Sequence, residues 1–347
     1  MKKKTNLYDL TLEELRALYE HWGEAAYRAN QTWEWLYQHM VTNPEEMTSL
    51  SKSLRTRLVA ETTMSVPQVL ARQESIDGET RKDLLAFADG AQVEVVLMRY
   101  IDRRSACLST QVGCSVGCRF CATGQMGFRR QLSRGEIVAQ ALHLARELQY
   151  QDQKLTNIVL MGMGEPLLNY DHTLAAIRCM IHPKGMGFGQ RRITLSTAGI
   201  VPGIRRFSRE DLQVNLAVSL HAGTDELRSY LMPINRKYDL NALFTVVYEY
   251  IERTNRRVTF EYVLIEDVND TEEEALALAA RLSGMLAHVN LIPLNPTAGF
   301  EGRPASPEHI EAFTNILERK HIPYSLRLSR GADIRAGCGQ LRQADGA

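Results

Sequence analysis

From about residue 105 the sequence alternates short aliphatic runs with amphipathic helical patterns, and this alternation constrains the fold more than any other feature. Strands are expected over 106–109, 157–161, 192–196, 215–220, 258–264 and 289–293, each rich in β-branched or aliphatic residues. Helical patterns at 135–148, 170–180, 241–253 and 272–286 lie between them. A strand, a helix and a parallel strand, repeated about six times, make a barrel-like or doubly wound α/β domain. Sites in such folds gather at the carboxyl ends of the strands.

Ahead of this domain the pattern is helical. Thr11 and Glu14 form a capping box before the apolar face of Leu12, Leu15, Leu18, Tyr19 and Trp22. A second helix carries Trp33, Leu36, Tyr37 and Met40, and a third carries Leu50, Leu54 and Leu58, so residues 1–62 read as a small helical accessory domain. Runs at 66–71, 82–87 and 92–98, broken by Asp77-Gly78 and Asp89-Gly90, read as antiparallel strands in a linking segment, 63–104. The main domain is then 105–341, with a loose tail at 342–347. At 347 residues, 44% apolar and 24% charged, the chain is a soluble globular protein, not a disordered, collagenous or coiled-coil one. No run approaches the ~18 apolar residues of a membrane span, and Lys2, Lys3 and Lys4 are followed by Asn6 and Asp9 rather than an apolar stretch. No membrane partner and a cytoplasmic location are the expectations.

Cys107, Cys114, Cys118 and Cys121 crowd into fifteen residues, while Cys179 and Cys338 stand alone. In a reducing compartment this favours metal or redox chemistry over a disulfide framework. The CxxxCxxC spacing at Cys114, Cys118 and Cys121 suits three irons of a cubane, leaving the fourth open to a small molecule. A structural zinc site would need a fourth ligand, such as Cys107 or a distant His. Gly162, Gly164 and Glu165 follow the second strand, where glycines permit close backbone approach and a carboxylate suits a cationic amino group. Ser196, Ser219, Leu220, His221 and Asn295 fall at or just past later strand ends, as ligand contacts or as capping and turn residues. Cys179, among Leu174, Ile177 and Met180, reads as core.

Taken together, QVGCSVGCRFCATGQMGFRRQL, MGMGEPLLNY, RRITLSTAGIVPGI, SLHAGTDELRSYLMPIN and GADIRAGCGQL, in that order, resemble the RlmN/Cfr family of radical S-adenosylmethionine (SAM) RNA adenine methyltransferases. The resemblance covers nearly the whole chain. It implies a partial (β/α)6 radical SAM barrel behind a helical RNA-contacting domain. Cys114, Cys118 and Cys121 would hold a [4Fe-4S] cluster, and Gly164, Glu165, Ser196, Ser219, Leu220, His221 and Asn295 would contact SAM, two of which are used per turnover. In this family Cys338 would first be methylated by ordinary displacement. A radical made from the second SAM would then activate that methyl group for addition to the adenine ring. Cys107 would attack the Cys338 sulfur to release the product as a disulfide, Glu94 would take the ring proton, and an external electron donor would be required.

A formal net charge of zero leaves RNA binding to local patches. Candidate patches are Arg103-Arg104, Arg129-Arg130 with Arg134, Arg191-Arg192, Arg205-Arg206 with Arg209, and Arg256-Arg257. By resemblance the partners are 23S rRNA and tRNA beside the anticodon, with the target adenosine extruded from its stack. The Gly-Glu-Pro of MGMGEP resembles members acting at carbon 2 of adenosine; CATG looks more like the Cfr type, which acts at carbon 8. A reading from another class is a cluster-bearing RNA-binding or redox-sensing protein without methyl transfer.

Overall fold

The computed structural model describes residues 4–327 and 330–342; Lys2, Lys3 and tail residues 343–347 lie outside the described residues. β1 (Thr5–Asn6) pairs in parallel with β2 (Thr62–Thr63), bracketing α1 (Leu12–His21), α2 (Ala26–Tyr37) and α3 (Lys52–Glu61). The expected capping box forms: Glu14 N–H donates to the Thr11 hydroxyl at 3.1 Å, and Thr11 N–H to the Glu14 carboxylate at 2.7 Å. Met40, expected on the second helix, instead lies beyond its end at φ 54°, because α2 stops at Tyr37. Leu50 likewise precedes α3, whose N-cap is Ser51. Arg134, buried at 3% exposure, fastens this unit to the main domain by donating to the carbonyls of Tyr8 and Leu10. Asp9 accepts the Gly135 N–H beside it at 2.7 Å.

β3 (Gln68–Glu74), β4 (Thr80–Ala86) and β5 (Gln92–Arg99) form an antiparallel meander, and β5 continues antiparallel onto β6 (Arg104–Cys107), with Val96 opposite Cys107. The linking segment is therefore part of the main sheet. A separate ribbon of β7 (Gln111–Gly113) and β8 (Phe128–Gln131) flanks the cysteine loop and the short α4 (Ala122–Gln125). Then follow α5 (Arg134–Gln149), β9 (Asn157–Leu160), α6 (Tyr170–Ile181), β10 (Ile193–Thr197), α7 (Val201–Phe207), β11 (Asn215–Ser219), α8 (Asp225–Leu231), α9 (Leu240–Thr254), β12 (Val258–Leu264), α10 (Glu272–Leu282), β13 (Ala287–Pro293), α11 (Pro307–Arg319) and β14 (Tyr324–Leu326). The ten-stranded sheet runs β14-β13-β12-β11-β10-β9-β6-β5-β4-β3, parallel from β6 to β14.

The alternation thus ends in one more parallel strand than the six expected. β14 has three residues after Pro323, too few to show a period of two. Met98, Ser105, Val159, Glu261, Asn290 and Ser325, drawn from β5 across to β14, line one cavity, so the sheet curls into a partial barrel. Its outer face is covered by helices such as α9, which buries Leu243, Phe244, Val246, Val247 and Tyr250. Among the described residues no helix is long and apolar enough to cross a membrane.

Candidate active site

Cys114, Cys118 and Cys121 lie on the loop between β7 and α4 and line one cavity with Gly164, Glu165, Ser196, Ser219 and His221, at the carboxyl ends of the strands. Gly164 is obligatory there. Its φ is +103°, and a Cβ would stand 2.5 Å from the Cβ of Gln111. The next residue, Glu165, is 3% exposed, and its carboxylate accepts N–H groups from Leu167 at 2.9 Å and Ala198 at 2.6 Å. Burial outweighs those bonds and pushes its pKa up to about 7. His221 is held at φ 62° with Nδ1 accepting the Val263 N–H at 3.0 Å, so the neutral ring carries its proton on Nε2. Burial, with Arg228 adding to it, lowers its pKa to about 3.

The donor set fits an iron–sulfur cluster. Burial raises the pKa of Cys114 to about 12 and raises those of Cys118 and Cys121, and at Cys118 the neighbouring Cys121 and Cys114 add repulsion. Three anionic sulfurs here need a positive body among them. Arg228, fully buried and without an ion pair among the described residues, lies close enough to Cys118 for their charges to interact. Cys107 stays on β6, apart from the cavity of the other three.

Cys338 occupies the junction of this cavity with a second, of about 910 Å³; both are lined by Met161, Glu261, Ile292 and Cys338. Its segment is tied down on every side. Ala122 N–H donates to the Gly339 carbonyl at 2.7 Å and Thr123 Oγ1 to that of Leu341 at 2.5 Å, on the cysteine-loop side. Asn295 Nδ2 donates to the Cys338 carbonyl at 3.1 Å, and Gln340 Nε2 to that of Pro296 at 3.0 Å. Cys107, 9% exposed on β6, has its pKa raised to about 12 by burial and then by negative charge at Cys338. Both are free thiols. Cys338 is an exposed residue bordering both cavities, yet desolvation of its thiol still pushes its pKa up, against the pull of Arg327.

Three expected site residues sit differently. Leu220 is wholly buried outside both cavity linings, its N–H bonded to the Glu261 carbonyl and its carbonyl to Arg228 Nε. Asn295 lines the larger cavity and holds the Cys338 segment rather than facing the three cysteines. Glu94 lines neither cavity. Its Oε1 pairs with Lys82 Nζ at 2.9 Å, its Oε2 accepts the Arg342 N–H at 2.8 Å, and Lys82 also donates to the Arg335 carbonyl at 3.2 Å. The pair thereby clasps the Cys338 segment from both sides, and Arg342, placed in the tail by sequence, is tied in. Cys179 is core, as expected, at 3% exposure.

The larger cavity opens at the amino ends of the strands, opposite the cysteine loop. Seven arginines line it against one carboxylate, Glu261, among the described residues. Of the expected patches, Arg103, Arg191, Arg192, Arg256 and Arg257 are there. Others are engaged in ion pairs: Arg130 pairs with Glu136 and Asp89 at 2.7 Å, Arg205 with Glu249 at 2.8 Å and Arg206 with Asp171 at 2.6 Å. Sequence reasoning passed over Lys82, Arg228, Glu261 and Arg327. Glu261 carried a signal, being an isolated charge in the otherwise apolar run of β12.

Comparison with known proteins agrees with this geometry. Residues 108–279 match the radical SAM superfamily, and residues 5–64 match the ribosomal RNA large subunit methyltransferase N-terminal domain. The dual-specificity RNA methyltransferase RlmN of Myxococcus xanthus is 47% identical, over 97% of this chain and 94% of its own. A probable dual-specificity RNA methyltransferase RlmN of Moorella thermoacetica is 48% identical over 99% of both chains. The crystal structure of a radical SAM methyltransferase from Sphaerobacter thermophilus superposes with a TM-score of 0.95 at 48% identity, covering 97% of this chain and 99% of that one. The chain belongs to the RlmN family of radical SAM methyltransferases.

Proposed function

We propose that this chain methylates carbon 2 of an adenosine in 23S rRNA and in tRNA beside the anticodon, with Cys338 as methyl carrier and Cys107 as the thiol that releases the product. The placement of Cys338 carries this reading: its side chain is shared by the cavity of the three cysteines and the arginine-lined cavity. Cys114, Cys118 and Cys121 would hold the [4Fe-4S] cluster, and Gly164, Glu165, Ser196, Ser219 and His221 would border SAM. Bound there, these groups supply the methyl group and the one-electron, hydrogen-abstracting chemistry of the superfamily. Glu165 at a pKa of about 7 ionises readily once a cationic amino group is beside it.

The remaining steps belong to the chain's own residues. The fixed backbone of Cys338 presents its sulfur at the wall between the cavities, and the arginines at the opposite mouth draw in phosphates while an extruded base enters. Once the carbon carried on Cys338 is bonded to the adenine ring, Cys107 attacks the Cys338 sulfur. An S–S bond forms as the carbon–sulfur bond breaks, the electron pair of that bond stays with the carbon, which takes a proton to become the methyl group, and an external reductant restores both thiols. A protein of this activity works in the cytoplasm, where its RNA and reductant are. A cluster-bearing sensor without methyl transfer gives no role to Cys107 and Cys338.

The test is the Cys107→Ala enzyme expressed in cells and run on a denaturing gel with and without ribonuclease. A nuclease-sensitive adduct, absent from the Cys107→Ala, Cys338→Ala double variant, is the expected result; normal turnover by the single variant without adduct would refute it. Nucleoside mass spectrometry against 2-methyl- and 8-methyladenosine standards separates the carbon-2 reading from the carbon-8 one.

A further inference from the structure

The cysteine chemistry leaves one feature of the amino-end mouth without a role. Tyr100 N–H donates to the Arg103 carbonyl at 2.9 Å, closing a tight turn between β5 and β6 with Ile101 and Asp102 at its tip. Ile101 is fully exposed at 105%, and Ile76, in the adjacent turn between β3 and β4, is 97% exposed. Tight turns favour Gly, Asn, Asp and Pro, so a β-branched apolar residue there serves neither the turn nor the core. A local rule broken in this way points to function.

The surroundings identify the kind of partner. Tyr100 and Arg103, on either side of Ile101, both line the arginine-rich cavity. The turn is braced: the Arg103 and Arg330 guanidiniums lie 4.1 and 4.4 Å from the centre of the Tyr100 ring. Arg330 also pairs with Glu79 and donates to the Arg99 carbonyl at 3.2 Å, joining the two turns. Ile101 therefore projects from a rigid support at the edge of a basic mouth. Arg192 and Arg257 at that mouth are exposed and make no ion pair among the described residues. A polyanion with apolar faces between its charges, a nucleic acid, fits such a surface.

We propose that Ile101, supported by Ile76, is an apolar wedge that enters the RNA stack beside the target adenosine and keeps that base extruded toward Cys338. This rests on the RNA adenosine methylation proposed above. Unstacking a base exposes its faces to water, and an apolar side chain filling the vacated place offsets that loss. The arginines hold the backbone without regard to sequence, whereas Ile101 acts on the open conformation. It is a positioning residue: its loss should lower turnover on structured RNA much more than affinity.

The experiment uses the cluster-loaded full chain with a tRNA anticodon stem-loop carrying 2-aminopurine next to the target adenosine. Wild-type enzyme should methylate the stem-loop and raise the fluorescence on binding. Ile101→Ser should lower kcat on the stem-loop by about tenfold or more and abolish the rise, with Kd changed by less than about threefold. Ile101→Phe, a larger apolar wedge, should retain both signals. On a short single strand whose target adenosine is flanked by abasic sites, Ile101→Ser should match wild type. S-methylation of Cys338, read by peptide mass spectrometry, should be normal in every variant. Equal losses on both RNAs, or undiminished turnover of the stem-loop by Ile101→Ser, would overturn the wedge while leaving the methylation reading intact. Absence of methylation of any RNA by wild type would overturn both.

Discussion

Replacing Glu94 by Gln tests whether its carboxylate works on the Cys338 segment or on the substrate. Lys82 and Glu94 face each other at 2.9 Å with side chains 9% exposed, so Glu94→Gln leaves an ammonium buried without its counter-charge. Breaking a buried pair from one side typically costs ~3–5 kcal/mol. Here the strain can be relieved locally: if Lys82 seeks water, it gives up the Arg335 carbonyl, and the Arg342 N–H loses its charged acceptor. A penalty of ~3 kcal/mol corresponds to roughly a hundredfold larger population of the undocked segment. Hydrogen exchange of the 330–342 amides should therefore speed up by about that factor in Glu94→Gln and in Lys82→Met. The Lys82→Met, Glu94→Gln double variant, with no orphaned charge, should recover most of the protection and of Cys338 methylation. The opposite pattern would refute the clasp and make Glu94 the proton acceptor: unchanged exchange and Cys338 methylation in Glu94→Gln, with turnover halted after RNA addition and not recovered in the double variant.

Other consequences are read in simpler assays. Cys118→Ala should lose most of its iron and visible absorption after anaerobic purification; full iron loading would refute the assignment. Gly164→Ala should abolish SAM binding in equilibrium dialysis, since a Cβ would stand 2.5 Å from Gln111 at a φ of +103°; wild-type affinity would show that the turn can yield. Asp83 is fully buried, and although burial raises its pKa, hydrogen bonds from His143 and Arg72 and the charge of Arg81 outweigh it and hold the pKa below the usual value. Its contribution is thus complete above the unfolded carboxylate range near ~4 and is lost as pH falls through the depressed folded value. Asp83→Asn should cost ~3 kcal/mol at neutral pH in urea unfolding, with the gap from wild type closing in acid; a gap independent of pH would contradict this account.

Legibility from sequence followed the range of the interactions. The six longer parallel strands, the capping box at Thr11 and the grouping of Cys114, Cys118 and Cys121 depend on neighbours a few residues apart, and pattern alone shows them. The Lys82–Glu94 clasp spans β4 and β5 and closes on Arg335 and Arg342, more than 240 residues downstream. No local period reports such a contact. Charge patches misled for a related reason: an Arg-Arg pair looks the same whether Asp171 and Glu249 await it, as at Arg206 and Arg205, or the cavity mouth does, as at Arg256-Arg257. β4 shows how alternation hides function. Arg81, Asp83 and Leu85 turn toward α5, where His143 and Glu147 meet them, while Lys82 turns toward the Cys338 segment. Read as a run, the polar half of the strand, Thr80 to Asp83, does not show which side chain turns which way.

The tethering of Cys338 constrains the chemistry beyond its place in a motif. Its carbonyl is held by Asn295, the carbonyl of Gly339 by Ala122, and the far side of the segment by Glu94 through Arg342. If Cys338 is the carrier proposed above, a segment so fixed does not swing it between reactants, and the reactants must come to it. The strand ends allow this from two sides: Gly164, Glu165, Ser196 and Ser219 line the cavity at the carboxyl ends that Cys338 borders, and the arginines line the one at the amino ends. Between the two stands a single wall, made by Met161, Glu261, Ile292 and Cys338. On the reading proposed above, a hydrogen-abstracting group held beside the cysteine loop would reach the Cys338 side chain before RNA, and this wall would shield a ribose-rich substrate while the carrier passes on its one carbon.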